Sequence, residues 1–149
     1  MKPQYKLFIL VIIFSFSQLS LAQDPNTMLH GTWELDYQAT LSAALIDTQN
    51  KINNMPAAPK AHMEAVYIDR EMHFDAFGNC LLTLQGGQSK TFTWTYNAQT
   101  DVVTLTDTAN KVQTFEILNL TSGALSFEIK TAPSDVSAFV FSELYFNKI

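Results

Sequence analysis

Three histidines, one cysteine and a scatter of carboxylates are the groups in this chain whose types could do chemistry. His73 stands between Glu71 and Asp75, and His62 stands two residues before Glu64. Imidazoles and carboxylates at that spacing are candidate zinc ligands. A zinc site requires three or four convergent ligands. Here the partners fall on a polar strand face, so a solvated face is the better reading. No Ser-His-Asp order, nucleophile elbow, glycine-rich phosphate loop or paired-carboxylate motif occurs. The residues therefore give no support for an enzyme, a cofactor or a bound metal. Cys80 alternates with Leu82 and Leu84, which makes it a small buried hydrophobe. A bridge to a second chain is the alternative for a lone secreted thiol.

What remains is aromatic. The chain has 149 residues with 11 Phe, 5 Tyr and 2 Trp, and 47% of it is apolar. That content excludes a disordered chain, and 5 Gly with 5 Pro exclude collagen-like and low-complexity classes. A formal charge of −5 argues against a nucleic-acid partner, which needs clustered cations. The length suits one domain.

Residues 1–22 read as a cleaved signal peptide. Lys2 and Lys6 precede the apolar run Leu7–Phe16, and Ser20-Leu21-Ala22 supplies small residues before the cut. The run is shorter than the roughly 20 residues that span a bilayer. Gln23 stands where a lipid-anchored protein of bacterial type would carry Cys. The expectation is a protein secreted or held in the periplasm, with residues 23–149 forming a single domain and no membrane span. Asn119-Leu120-Thr121 fits the N-glycosylation pattern, relevant only in a eukaryote.

The elements that must position the aromatics alternate. Trp33-Leu35-Tyr37, Phe92-Trp94-Tyr96 and Leu125-Phe127-Ile129 interleave with polar residues, the mark of strands with one buried face. Turn signals recur at 76–79, 86–89, 97–101, 109–110, 119–123 and 132–135. They divide the chain into strands near 30–37, 70–75, 79–85, 90–96, 102–107, 111–118, 124–130 and 138–147. Eight strands joined by short hairpins predict an all-β, antiparallel up-and-down barrel; a two-sheet sandwich is the alternative. The predicted inward set is Trp33, Tyr37, Phe74, Leu82, Leu84, Phe92, Trp94, Tyr96, Leu105, Phe115, Ile117, Leu125 and Phe127. These residues are the candidate lining of a ligand cavity. Trp33 packs the closed end in one reading and stacks on a ligand in the other.

A helical insertion at about 39–67 interrupts the pattern after the first strand. Leu41, Leu45, Ile52 and Met55 fall on one helical face, with Thr40 as the expected N-cap and Pro56 and Pro59 as terminators. Residues 61–67 suit a second short helix or an early strand. The last strand is apolar on both faces, with Val140, Leu144 and Phe146 on one and Phe139, Phe141 and Tyr145 on the other. Its outer face needs cover. The Leu41-Leu45-Ile52 stripe is the expected cover, and a partner subunit the second choice.

His30-Gly31-Thr32-Trp33-Glu34-Leu35 resembles the Gly-x-Trp opening of lipocalins. Phe74 to Gly78, the strand around Trp94, Ile117 to Thr121 and Leu125 to Phe127 are similar to the lipocalin-like domains of secreted Bacteroidetes-type proteins. The resemblance covers nearly all of residues 23–149, through short motifs of which none is catalytic. It implies a calycin-like barrel and a possible small apolar ligand. The chain departs from larger lipocalins in lacking their disulfide cysteines and in carrying the helical insertion. Two functions remain open: binding or sequestering a small apolar molecule in the barrel, or a structural role for a barrel filled by its own side chains. A monomer and a homodimer through the last strand are both compatible with the sequence.

Overall fold

Eight strands follow one another around a closed barrel in the computed structural model, which describes residues 24–130 and 140–149. They are β1 (Gly31–Leu35), β2 (Glu71–Phe74), β3 (Asn79–Thr83), β4 (Ser89–Asn97), β5 (Val102–Asp107), β6 (Val112–Leu120), β7 (Ala124–Ile129) and β8 (Glu143–Lys148). Each pairs antiparallel with the next, and β8 returns to β1. The seam joins Trp33 to Lys148, Glu34 to Asn147 and Leu35 to Phe146. Closure excludes the sandwich and removes every free edge. β8 starts at Glu143, later than the sequence suggests. The proposed signal peptide, and Ala138 and Phe139 of the expected last strand, lie outside the described residues.

Hairpin turns are set by side chains that occupy the backbone donors of the loop. Asp75 Oδ1 accepts from the N–H groups of Phe77 at 2.8 Å and Asn79 at 2.7 Å. Asp107 Oδ1 does the same for Ala109 and Lys111, at 2.8 and 2.9 Å. Such local bonds make Asp a turn residue. Gly31 has a different reason for being glycine. Its φ is +121°, and a Cβ there would stand 2.8 Å from Lys148 Cε.

The lower end, where β1 begins, is shut by a short helix absent from the sequence reading. Asp24 caps α1 (Pro25–Leu29) by accepting from Asn26 N at 3.0 Å. Leu29 is fully buried, and its carbonyl accepts from Trp33 Nε1 at 2.8 Å. Lys148 Nζ lies 4.9 Å from the Trp33 ring centre and donates to Met28 O at 3.2 Å. Trp33 therefore packs a closed barrel end.

The insertion is three helices and begins earlier than expected. They are α2 (Tyr37–Ala43), α3 (Ile46–Asn53) and α4 (Ala57–Tyr67). Asp36, rather than Thr40, caps α2, accepting from Ala39 N at 2.9 Å. Gln49 Nε2 ends α2 by donating to the carbonyls of Ser42 and Ala44, at 3.1 and 2.7 Å. Residues 61–67 are helical, which settles the choice left open between helix and strand. Pro56 and Pro59 lie at and just inside the start of α4, where proline's missing N–H costs nothing. None of the helices among the described residues is long and apolar enough to cross a membrane.

The outer face of the last segment is covered by helices, but not by the expected stripe. Leu45 is 75% exposed between α2 and α3, while Leu41 is half-buried against the core and Ile52 is buried. The break at Ala44–Leu45 turns the helix axis, so 4- and 7-residue spacings no longer share a face. Cover comes from rings instead. Tyr67 meets Phe141 edge-on at 4.9 Å, and Tyr37 meets it at 6.2 Å.

Candidate functional site: a filled barrel and an open groove

The barrel interior is built from alternate residues of every strand, and it is full of rings. Phe74 meets Trp94 edge-on at 5.3 Å, Phe115 meets Phe127 at 5.5 Å, and Phe127 meets Phe146 at 5.9 Å. Offset and edge geometries at these separations are the favourable ones for aromatic pairs. Of the candidate lining, Trp33, Phe74, Phe92, Trp94, Leu105, Phe115, Leu125 and Phe127 are buried. Leu82, Leu84, Tyr96 and Ile117 are half-buried. Tyr37 is the correction: it stands on α2, not on a strand, because Asp36, four residues before the expected cap Thr40, caps the helix.

The predicted inward set omitted Met72 and Val103, which are buried there, and Leu35, Leu144 and Phe146, each already read on an apolar strand face, are buried with them. Simple alternation would have found Met72 from Phe74 and Val103 from Leu105. Cys80 is buried with no exposed surface, and burial pushes its thiol up to about 12. The unexpected member is Arg70, two residues before Met72 and 5% exposed. Burial lowers the pKa of its guanidinium, while the nearby Tyr67 and Cys80 act in the opposite sense.

The histidine clusters do not assemble. His73 Nδ1 lies 2.9 Å from Thr32 Oγ1 on the outer wall. Asp75 spends its carboxylate on its own turn, and the Asn79 side chain, the first of those donors, holds it below the usual carboxylate range. His30 packs edge-on against Trp94 at 5.8 Å. Among the described residues no three His, Cys, Asp or Glu side chains group as a metal site.

Open space is found at the upper end, on the helices. A groove of about 490 Å³ runs along α4, lined by Pro59, His62, Met63, Val66 and Tyr67. Those positions recur at three and four residues, so they form one stripe of the helix. Met55, from the α3–α4 link, and Val140 complete the walls. Tyr67 fixes the far side: its hydroxyl oxygen accepts from Val140 N at 2.9 Å, and burial raises its phenol pKa. Next to the groove, Tyr37 OH donates to Glu64 Oε1 at 3.3 Å, and burial with that carboxylate raises the phenol to about 12. The volume falls within the range of small-molecule sites, and the lining is apolar apart from one imidazole and one phenol. Spacing on 59–67 could have shown this stripe; its exposure could not be read, because it depends on where α4 docks.

No protein-family model matches the chain, and no curated protein does. A solved structure of a DUF4847 family protein from Bacteroides vulgatus is similar, with a TM-score of 0.44 at 15% identity. The match covers 81% of this chain and 93% of that one.

Proposed function

We propose that this chain is an exported, lipocalin-like binding protein for a small apolar molecule, and that the ligand is held in the groove along α4. The observation that carries the reading is an open, apolar space of about 490 Å³ beside a barrel whose centre is occupied by its own rings. A ligand in the groove would exclude water from Met63 and Val66 without displacing core side chains, which are costly to move in a close-packed interior. The chain acts by binding and not by catalysis in this reading. The sequence supports export through the basic, apolar and small-residue order of residues 1–22.

Titration with a fluorescent fatty-acid analogue tests the proposal. The expected result is saturable uptake that is blocked by Met63→Arg and left intact by Thr91→Ala on the outer barrel wall. Saturable uptake lost on Trp94→Ala but not on Met63→Arg would move the ligand into the barrel. Absence of saturable uptake would overturn binding and favour the second reading, a side-chain-filled barrel with a structural or interaction role. The edge-to-face rings of the interior are what favour that alternative.

A further inference from the structure

The helix that shuts the lower end of the barrel starts two residues after Gln23, and the residue between them is anchored by its own polar groups. Asp24 Oδ1 accepts from Asn26 N at 3.0 Å, and the Asp24 carbonyl accepts from Thr27 Oγ1 at 2.8 Å and from Met28 N at 3.0 Å. The other end of α1 is held by the buried Leu29, whose carbonyl takes the Trp33 indole N–H. Asp24 is nevertheless exposed, so the chain enters the closed barrel end from its surface. Gln23 is bonded to that anchored, exposed residue and itself lies just outside the described residues.

Cleavage after Ala22 makes Gln23 the first residue of the mature chain. An α-amine has an ordinary pKa of about 7.7–8.0, so about a tenth of it or more is neutral and nucleophilic at pH 7. On Gln that amine reaches its own side-chain Cδ through an unstrained five-membered ring. We propose that Gln23 is converted to pyroglutamate, which blocks the chain end beside the cap of α1. The amine nitrogen bonds to Cδ, the Cδ–Nε2 bond breaks, and one amine proton leaves with Nε2 as ammonia. The step needs no oxidant and no co-reactant. The inference rests on the reading of residues 1–22 as a cleaved signal peptide. Its consequence is protection of the plug. The lactam end offers no ammonium to an aminopeptidase, and behind it the Asp24–Pro25 bond is a tertiary amide without an N–H, which ordinary aminopeptidases do not cut. The capping Asp24 is therefore shielded by the ring before it and the proline after it.

Intact-mass spectrometry of the chain exported from a bacterial host, with residues 1–22 in place at synthesis, provides the test. The expected mature mass is that of residues 23–149 less one ammonia. Edman degradation should be blocked until pyroglutamyl aminopeptidase uncovers a chain that begins at Asp24. Gln23→Asn keeps an amide but could close only a strained four-membered ring, so it should show its full mass. Leucine aminopeptidase should leave the wild type unchanged and remove one residue from Gln23→Asn, stopping before Asp24–Pro25. A full-mass chain that still begins with Gln23 after prolonged incubation at neutral pH overturns the modification and retains the signal peptide. A mature chain that begins elsewhere overturns the signal reading and the modification with it. Loss of ammonia that persists in Gln23→Asn would place the change at another residue and overturn the proposal.

Discussion

Thr40 shows how a single hydroxyl can complete a sheet. β1 ends at Leu35, so Tyr145 on β8 faces no strand residue on that side. Its carbonyl accepts from Asp36 N at 2.8 Å, and its N–H donates to Thr40 Oγ1 at 3.1 Å. Thr40 is 1% exposed, so water cannot substitute. Thr40→Val keeps the shape and strands that N–H, which should cost about 1–3 kcal/mol in chemical denaturation. Thr40→Ser should recover most of it. The sequence offered Thr40 only as a helix cap, because a seam donor 105 residues away leaves no trace in local spacing. Cys80 was legible by contrast, since alternation alone puts it inside. With its pKa near 12 and no exposed surface, it should resist alkylation by iodoacetamide at pH 8 in the native protein and react at once in denaturant.

At the scale of elements, the β-hairpins were readable and the helices only partly so. Strands announce themselves by alternation, and their turns by Gly, Asn and Asp. The insertion satisfied a helical period across residues that a break at Ala44–Leu45 places on different axes. Ile52 and Leu45 separate the two accounts. Ile52→Ala should lower stability by about 2–5 kcal/mol, as a fully buried deletion does. Leu45→Ala should fall within about 0.5 kcal/mol of wild type. Equal losses in thermal or urea melts would restore the continuous stripe.

The β5–β6 hairpin carries its own acid sensitivity. The Lys90 ammonium, 2.8 Å from Asp107 Oδ2, and the N–H groups of Lys111 and Ala109 hold this carboxyl below the usual carboxylate range. A depressed native pKa contributes stability that is full above the unfolded value of about 3.9 and is lost as pH falls through the native one. Asp107→Asn should therefore be less stable than wild type at pH 7. The gap should narrow as the pH is lowered below about 4, as read from urea midpoints at each pH.

For the whole molecule, the hydrophobic pattern contains the architecture but not its open space. The count of strands and their short turns lead to a barrel, and the observed closure agrees. Whether the centre is empty depends on how Phe74, Trp94, Phe115 and Phe127 tilt against one another, which no one-dimensional pattern encodes. The groove depends likewise on how α4 docks at the top of the barrel. Native-state hydrogen exchange should reflect the same division. Amides of β4 and β5, paired at six positions, should be the slowest, and those of α3 should open by a smaller fluctuation. Protection of α3 equal to that of β4 would show one cooperative unit.

The seam between Trp33 and Lys148 also imposes an order in time. A growing chain presents β1 first and must wait for β8, the last strand, before β1 gains its second neighbour. Until then Trp33, Leu35 and the rings of β4, β6 and β7 belong to an open, curling sheet with two unsatisfied margins. Such a sheet adheres to its own kind. A nascent copy is thus at its most vulnerable just before β8 is made, and a delay there favours self-association. The three residue pairs of the seam join the two strands that lie farthest apart in the chain.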